Sequence, residues 1–232
     1  MPTPVSASME PPEVDLAPYL APTAIVNADH PAVREYAYAR IGDAVESVAK
    51  AIRLYYAVRD GIRYDGYQID LTPRGLSAGQ VLADGRGWCV NKAVLLAACC
   101  RAVGVPARLG YADVRNHLST QRMRDLMGTD TFHWHGYTDI HLNGQWVKAT
   151  PAFNIELCQR FRLKPLEFDG TEDSIYHPFD EDGRQHMEYL RYRGEYADVP
   201  LAEIKADFAQ VYPHMADLMD GDFDQEILRE TA

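Results

Sequence analysis

Residues 87–103 read GWCVNKAVLLAACCRAV, and this stretch decides the fold. It is apolar on nearly every side, which is typical of a helix buried in a core rather than lying on its surface. Three polar residues interrupt it from residue 90 onward: Asn91, Lys92 and Arg101. Gly104 and Pro106 predict where the helix ends. Cys89 therefore stands where a glycine-rich loop meets the amino end of a buried helix.

Two strand-like segments follow this helix. Ala107 to Val114 (ARLGYADV) is the first, and Phe132 to Leu142 (FHWHGYTDIHL) alternates as the second. Because side chains alternate along a strand, the second segment has two distinct faces. One face carries Phe132, Trp134, Ile140 and Leu142, and the other carries His133, His135, Tyr137, Asp139 and His141.

The dipeptide Asn143-Gly144 predicts a tight hairpin after the second strand. Both central residues of a type I′ turn need positive φ, which asparagine and glycine tolerate best. A two-residue turn makes Leu142 oppose Gln145, and the same register makes Asp139 oppose Lys148 as a cross-strand ion pair. The helix and these strands together predict an α+β fold.

Composition restricts the class of protein. The 232 residues are 47% hydrophobic and 25% charged, which is ordinary for a folded globular chain. The net charge of −11 repels phosphate backbones and anionic lipid surfaces, and no basic patch offsets it. No apolar run approaches the roughly 18 residues that a membrane span needs. We therefore expect neither a nucleic-acid partner nor a membrane partner.

The cysteines indicate a reducing compartment. There are four cysteines, and Cys99 and Cys100 are adjacent, so the spacing does not favour two disulfides. Cys158 is a further candidate for a buried structural thiol. The first basic residue is Arg34, so a basic leader segment is not evident. These observations predict a cytoplasmic protein with free thiols.

The chain divides most simply into one domain with extensions. Residues 1–33 contain seven prolines and predict an arm, and residues 34–200 form the expected catalytic domain. Within that domain, 155–200 reads as irregular. Residues 201–232 predict a helical extension packed on the same domain, with an acidic, peripheral tail after Gly221.

Cys89 and His135 are the candidate reactive pair. The free amides and positive dipole end of the helix would point at the Cys89 sulfur and lower the pKa of its thiol. A histidine within hydrogen-bond reach would stabilise the thiolate and later protonate a leaving group. His135 has the right position on the polar strand face.

Three ordered blocks resemble the transglutaminase-like superfamily. They are Gly87-Trp88-Cys89 with its buried helix, 103–108 (VGVPAR) and 135–146 (HGYTDIHLNGQW), where the family reads approximately GxC, GIPAR and HAWxEVYLxGxW. The resemblance spans about Tyr55 to Asn154. It implies a papain-like fold of cysteine enzymes, in which a cysteine caps a central helix packed on an antiparallel sheet. On the matching positions, the family's nucleophile falls on Cys89 and its base on His135.

The third member of the family's catalytic set does not carry over. The family usually has aspartate before a proline, where this chain has Thr150. A threonine hydroxyl could accept the Nδ1–H of His135, but it brings no negative charge. The hairpin register places Thr150 diagonally beside His135 and so favours it over the alternative, Asn154. Asp139 is four residues along the same strand from His135, about 13 Å, and is too far.

An acyl-transfer site also needs donors for the developing oxyanion. The backbone N–H of Cys89 is the first candidate. Four side chains are alternatives for the second donor: Trp88, Gln80, Tyr64 and Tyr67.

These residues predict a cysteine-dependent acyl-transfer enzyme without a cofactor. The Cys89 thiolate would attack an amide or related acyl carbon of a small molecule or peptide, and His135 would move the proton. The resulting thioester would pass to water or to an amine. Hydrolysis is favoured because no dedicated amine pocket is evident.

Two other readings remain. His133 and His135, with Asp139 or His141, could ligate zinc or iron, although this leaves the Cys89 block unexplained. Otherwise His141 is expected to pack against the nearby Trp146. Alternatively, because Thr150 replaces the expected aspartate, the fold could serve as a catalytically inactive binding scaffold.

Overall fold

A computed structural model of the protein describes residues 15–116, 119–175, 187–214, 217 and 220–231. A 3-10 turn at Ala17–Tyr19 precedes the helices, which are α1 (Pro31–Ile41), α2 (Ser47–Gly61), α3 (Pro73–Leu76), α4 (Ala78–Asp84), α5 (Cys89–Ala102), α6 (Gln121–Met127), α7 (Ile155–Arg160), α8 (Leu201–Val211) and α9 (Phe223–Glu230). The strands are β1 (Arg63–Tyr64), β2 (Arg86–Gly87), β3 (Ala107–Asn116), β4 (Thr131–Leu142), β5 (Gln145–Ala149) and β6 (Met187–Tyr196). Within this described part of the chain, no helix is long and apolar enough to cross a membrane.

Helix α5 is the centre of the core, as its composition predicts. Each of its residues is buried, including the three polar ones. Lys92 satisfies its amine by donating to the backbone carbonyls of Arg59 at 2.9 Å and Ile62 at 2.5 Å. The Nε of Arg101 donates to the carbonyl of Ala107 at 2.9 Å. Polar groups in the core helix are thus tied to backbone carbonyls, which offsets the free-energy cost of burying them.

A four-stranded antiparallel sheet packs against this helix. Its strand order is β5-β4-β3-β6, and a separate parallel pair, β1 and β2, leads the chain into α5. The hydroxyl of Thr138 on β4 donates to the carbonyl of Ala93 on α5 at 2.9 Å. A Cβ built on Gly136 would lie only 3.0 Å from the Cα of Val90. Glycine at 136 therefore allows β4 to lie directly against the first turn of α5.

The hairpin between β4 and β5 has the predicted turn and register. Asn143 and Gly144 have φ of 50° and 83°, as a type I′ turn requires. Leu142 opposes Gln145, and Asp139 opposes Lys148, so the predicted register is confirmed. Strand β5 ends at Ala149, one residue before Thr150, which the same register placed diagonally beside His135.

The predicted ion pair between Asp139 and Lys148 is wrong. Asp139 also opposes Arg108 on β3, and its carboxylate lies 2.7 Å from the Arg108 guanidinium. The Lys148 amine lies 3.8 Å from Asp173 instead. Asp139 is fully buried, and burial raises its pKa above the ordinary value although Arg108 opposes the rise. The central strand β3 supplied a competing partner that the hairpin alone could not reveal.

A β-bulge breaks the predicted alternation of faces along β4. Ala112 pairs with His135 and Val114 pairs with Phe132, so three steps on β4 match two on β3. Trp134, inside the bulge, has φ of 61°. Cross-strand partners share a face, so Phe132 and His135 lie on the same face rather than on opposite faces. The bulge carries one more aromatic side chain to the face that holds His135.

Two expectations for the second half of the chain are wrong. The stretch 155–200 is not irregular throughout, because it contains α7 and β6. Strand β6 has mostly exposed or half-buried side chains, so it lacks the alternation that would have identified it. The tail after Gly221 is not peripheral, because α9 buries Phe223 and Ile227.

The proposed domain boundaries stay a prediction. Within the described part of the predicted arm, Ile25, Val26 and Ala28 are buried. The backbone N–H of Ala78 donates to the carbonyl of Ile25 at 3.2 Å. This part of the arm therefore packs on the domain.

Candidate active site

Cys89 is the first residue of α5, and strand β2, which pairs with β1, leads into the helix through Trp88. Gly87 pairs with Tyr64, and Trp88 is the extended residue that precedes the helix. A Cβ on Gly87 would lie 2.6 Å from the Cβ of Asn91, so a larger residue would push strand and helix apart. The Gly-Trp-Cys sequence thus fixes the sulfur at the helix start.

The Cys89 sulfur lines a small cavity of about 40 Å³, which we call the Cys89 cavity. Trp88, Tyr64, His133 and His135 line it as well. Aromatic and methionine side chains form much of the remaining wall: Met123, Met127, Phe132, Phe153, Phe208 and Tyr212. The structure therefore brings the predicted nucleophile and the predicted base to one enclosed apolar space.

The Cys89 sulfur is not the low-pKa thiolate that the sequence predicts. Cys89 is only 6% exposed, and burial raises the pKa of its thiol to about 11. The nearby backbone N–H groups of Gly136, Val90 and Cys89 itself oppose this rise. Desolvation is the larger effect, so the resting sulfur at neutral pH is a thiol.

A negative charge on this sulfur would raise the pKa of three buried tyrosines. Burial raises the pKa of Tyr64, Tyr111 and Tyr212, and the Cys89 sulfur contributes to the rise at each. Tyr64 and Tyr212 also line the Cys89 cavity. Their hydroxyls stay protonated, and that of Tyr212 donates to the Thr131 carbonyl at 2.8 Å.

His135 reaches the cavity from β4, beside the bulge. It is 5% exposed, and its ring meets the ring of Tyr189 edge-on with centroids 6.1 Å apart. The residue after it, Gly136, lies against Val90, the residue after Cys89 in α5. The close packing of β4 on α5 is therefore what brings His135 to the cavity that Cys89 lines.

The roles predicted for Thr150 and Asn154 remain predictions. The Thr150 hydroxyl is buried and forms no hydrogen bond with any residue the structure describes. The Thr150 carbonyl accepts a hydrogen bond from the Tyr55 hydroxyl at 3.2 Å. The Asn154 Oδ1 accepts from the backbone N–H of Tyr64 at 3.1 Å. Asn154 thus supports the strand that carries Tyr64.

Trp88 and Tyr64 are the oxyanion candidates that reach the cavity. The Trp88 Nε1–H is buried and has no hydrogen-bond partner among the described residues. Its ring lies 6.0 Å from that of Phe208.

The other two candidates are engaged elsewhere. Gln80 lines a separate surface pocket, where its amide donates to Asp84 at 2.8 Å and accepts from Arg74 at 3.3 Å. The Tyr67 hydroxyl lies 2.5 Å from that of Thr120.

A charged network beside the cavity was not predicted from the sequence. The Asp113 carboxylate lies 2.5 Å from the Arg193 Nε, and Arg193 also pairs with Asp207. His133 Nδ1 lies 2.9 Å from the Arg193 guanidinium, and Trp134 Nε1 donates to Asp207 at 2.9 Å. The partners are up to 94 residues apart in sequence, from Asp113 to Asp207, so no local pattern could have revealed the network.

The same network bears on the metal reading. Arg193 faces the His133 ring nitrogen, where a second cation would be repelled, and Arg108 engages Asp139. His141 packs against Trp146 with centroids 5.1 Å apart, as predicted. In the described ranges, no group of three His, Cys, Asp or Glu side chains is placed to hold a metal ion.

Several solved structures are similar to this chain. A candidate cysteine protease from Cytophaga hutchinsonii is 22% identical, with a TM-score of 0.46 over 60% of this chain and 42% of that chain. An arylamine N-acetyltransferase from Nocardia farcinica is 17% identical, with a TM-score of 0.40 over 57% and 47%. One from Mycobacterium abscessus is 16% identical, with a TM-score of 0.39 over 57% and 46%. The chain matches less than half the length of each.

A comparison with curated proteins gave no match. The profile of the transglutaminase-like superfamily matches residues 34–151, which is half of the chain. This match includes the blocks around Cys89 and His135. The α+β class and the papain-like core, with a central helix on an antiparallel sheet, are confirmed. The chain belongs to the transglutaminase-like superfamily.

Proposed function

We propose that the protein is a cysteine hydrolase or acyltransferase that works through a Cys89 thioester, with hydrolysis favoured. The observation that carries the proposal is the shared cavity of Cys89 and His135. It is supported by the close packing of Gly136, next to His135 in β4, on Val90, next to Cys89 in α5.

The raised pKa of Cys89 affects how the first step runs. The sulfur attacks the acyl carbon while His135 takes the thiol proton, so that a free thiolate is not required beforehand. An S–C bond forms, the bond to the leaving group breaks, and the leaving group receives the proton from His135. Water then attacks the thioester carbon, a C–O bond forms and the S–C bond breaks, the carboxylic acid leaves, and His135 passes the proton taken from water to the sulfur.

The oxyanion of the tetrahedral intermediate needs donors inside the cavity. The backbone N–H of Cys89, in the first turn of α5 where amides lack a helical partner, is the main-chain candidate. We assign the side-chain donor to the Trp88 Nε1–H, because it is buried, lines the cavity and has no partner in the described chain. Such a donor is pre-oriented and not consumed by another bond, which is what transition-state stabilisation requires.

The expected partner is a small-molecule or peptide acyl substrate. The net charge of −11 disfavours nucleic acid and anionic membranes. We also propose a cytoplasmic location, because all four cysteines are buried free thiols.

The test is covalent labelling of Cys89 by an activated ester. Para-nitrophenyl acetate should transfer its acyl group to the protein, seen by intact mass and peptide mapping, and the label should turn over in water. Cys89→Ala should abolish labelling. Cys158→Ala is the matched control, because Cys158 is also buried and its thiol pKa is also raised to about 11. Labelling that persists in Cys89→Ala would reject the proposal.

A binding scaffold without catalysis is the second candidate. The Thr150 hydroxyl favours it, because no hydrogen bond joins it to His135. Under this alternative, wild-type Cys89 stays unlabelled by the ester while the protein remains folded.

A further inference from the structure

A second cavity adjoins the Cys89 cavity, and the reaction proposed above does not use it. This distal cavity has a volume of about 20 Å³. Its far side is apolar and is formed by Leu157, Phe161, Leu163, Phe223 and Ile227. The two cavities share a wall made of Tyr64, Asn116, Met123, Phe132 and Phe153. They are therefore two parts of one apolar cleft with a partition between them.

The lining of this cleft is uncharged apart from the histidines at the reactive end. No Asp, Glu, Lys or Arg side chain is among the described residues that line either cavity. Burying an unpaired charge in such surroundings costs several kcal/mol of free energy. Apolar groups instead gain free energy in proportion to the area removed from water. The cleft thus selects a neutral, apolar group.

Met123 is the part of the partition best able to move. Its backbone N–H is held by the Thr120 hydroxyl at 3.1 Å, which caps α6, so the main chain is fixed. Its Cε lies in the space above Gly66, where a built Cβ would come within 2.7 Å. Methionine is unbranched and adapts its rotamer easily. Rotation of this side chain would join the two cavities without a backbone shift.

We propose that the substrate's acyl group is neutral and apolar, and that Met123 limits its length. This inference rests on the proposed acyl transfer at Cys89. A short acyl group fits in the Cys89 cavity alone. A longer chain passes the Met123 side chain and enters the distal cavity, towards Leu157 and Ile227.

Para-nitrophenyl esters of increasing chain length test the proposal. Cys89 forms an S–C bond to the acyl carbon, the ester C–O bond breaks, and nitrophenolate leaves with the electron pair while His135 takes the thiol proton. The readouts are nitrophenolate release and the mass of the acylated protein. The quantity compared is the ratio of second-order acylation rates for octanoate and acetate.

Removing the partition should change this ratio. Met123→Ala should raise the octanoate-to-acetate ratio about tenfold, the effect of burying about one more methylene of the octanoyl chain in an apolar pocket. Met123→Leu keeps most of the volume in case the alanine variant folds poorly, and it should shift the ratio in the same direction by less. Gly66→Ala should lower the ratio, because its methyl group crowds the space that Met123 occupies.

A pair of variants tests passage into the distal cavity. Leu157→Ala enlarges that cavity but leaves the partition in place, so alone it should change the ratio less than twofold. Combined with Met123→Ala, it should raise the ratio beyond the product of the two single effects. Leu228→Ala is the control, because this exposed residue of α9 lines neither cavity.

A matched pair of esters tests the charge preference. Para-nitrophenyl hexanoate and the mono-para-nitrophenyl ester of adipate have the same chain length, and the second ends in a carboxylate. The adipate ester should acylate Cys89 at least about tenfold more slowly, because its charge must be desolvated.

The outcomes separate this inference from the proposed function. If esters acylate Cys89 but the Met123 variants leave the length ratio unchanged, or adipate reacts as fast as hexanoate, the inference is wrong and the proposed function stands. If no ester of any length acylates wild-type Cys89, both are wrong.

Discussion

The backbone N–H of Trp134 donates a hydrogen bond to the Asp113 carboxylate at 3.2 Å, next to the strand position that carries His135. Trp134 has φ of 61°, a conformation that costs about 1 kcal/mol or more for a residue with a side chain. The Asp113 hydrogen bond and the Trp134 Nε1 bond to Asp207 offset this cost. The charged network thus stabilises the bulge from which His135 reaches the cavity.

We expect Asp113→Ala to destabilise the protein by roughly 1.5–3 kcal/mol, because it removes one of the two carboxylates that pair with the mostly buried Arg193 and leaves Asp207 as the other. Urea unfolding measures the change. Asp113→Ala should also lower the acylation rate of Cys89. Asp113→Asn keeps an acceptor and should lower this rate by less. The control is Asp43→Ala: Asp43 pairs with Arg53 at 2.8 Å but is exposed, and no measurable change is expected. Equal effects at the two sites would contradict a supporting role for the network.

Local patterns account for what the sequence could predict. Helix α5 is buried because its residues are apolar on every side, and the Asn143-Gly144 turn fixes the β4–β5 register through backbone geometry. Both follow from residues close together in the chain. The pairing of Cys89 with His135 was proposed from the helix start and the polar face of the strand, and the ordered blocks of a family supported it.

Features that join distant segments were not predictable. The bulge at Trp134 depends on hydrogen bonds to Asp113 and Asp207. Asp139 pairs with Arg108 on β3 rather than with Lys148 on β5. The raised pKa of Cys89 is another such feature. The rise comes from burial of the sulfur by the surrounding elements, and the position of Cys89 at a helix start does not indicate how deep that burial is.

Alkylation of Cys89 should therefore depend steeply on pH. With a thiol pKa of about 11, the thiolate fraction grows about tenfold per pH unit, and the iodoacetamide rate should follow it from pH 7 to pH 10 without a plateau. An unperturbed thiol, with a pKa of about 8.5, would level off within this range. Mass spectrometry of the alkylated peptide measures the rate. A fast rate that is independent of pH near neutrality would instead indicate a resting thiolate.

Trp88→Phe should lower the acylation rate of Cys89 about a hundredfold, the cost of losing one oxyanion donor. Phenylalanine is smaller than tryptophan, so the variant should lose about 1–2 kcal/mol of stability from the space left at this buried position, while the lost Nε1–H itself has no described partner. Trp134→Phe is the contrasting variant, because it loses the same volume and also a hydrogen bond to Asp207, which should cost about 1 kcal/mol more. Stopped-flow acylation and urea unfolding give the two readouts. An unchanged rate in Trp88→Phe would reassign the donor, with Tyr64 next to be tested.

Thr150→Asp tests which residue orients His135. If Thr150 holds the orienting position, a carboxylate there should stabilise the imidazolium and raise the acylation rate about tenfold or more. The measurement is the pH profile of acylation by para-nitrophenyl acetate, which should also show a raised pKa for the base. No change in rate or profile would point to Asn154, and Asn154→Ala would then be the decisive variant.

Lys92 should make the stability of the fold depend on pH. Its amine is fully buried among backbone carbonyls, and burial lowers its pKa to about 7, whereas an exposed lysine titrates near about 10.4. Between these values the unfolded chain holds a proton that the folded chain lacks. The contribution of Lys92 to the free energy of unfolding therefore rises with pH, by up to about 1.4 kcal/mol per unit, and is constant below pH 7.

Urea unfolding of the wild type and Lys92→Met from pH 6 to pH 9 measures this contribution. The difference between the two proteins should be flat up to about pH 7 and then shift in favour of the wild type. Parallel curves over the whole range would mean that the folded protein keeps Lys92 protonated.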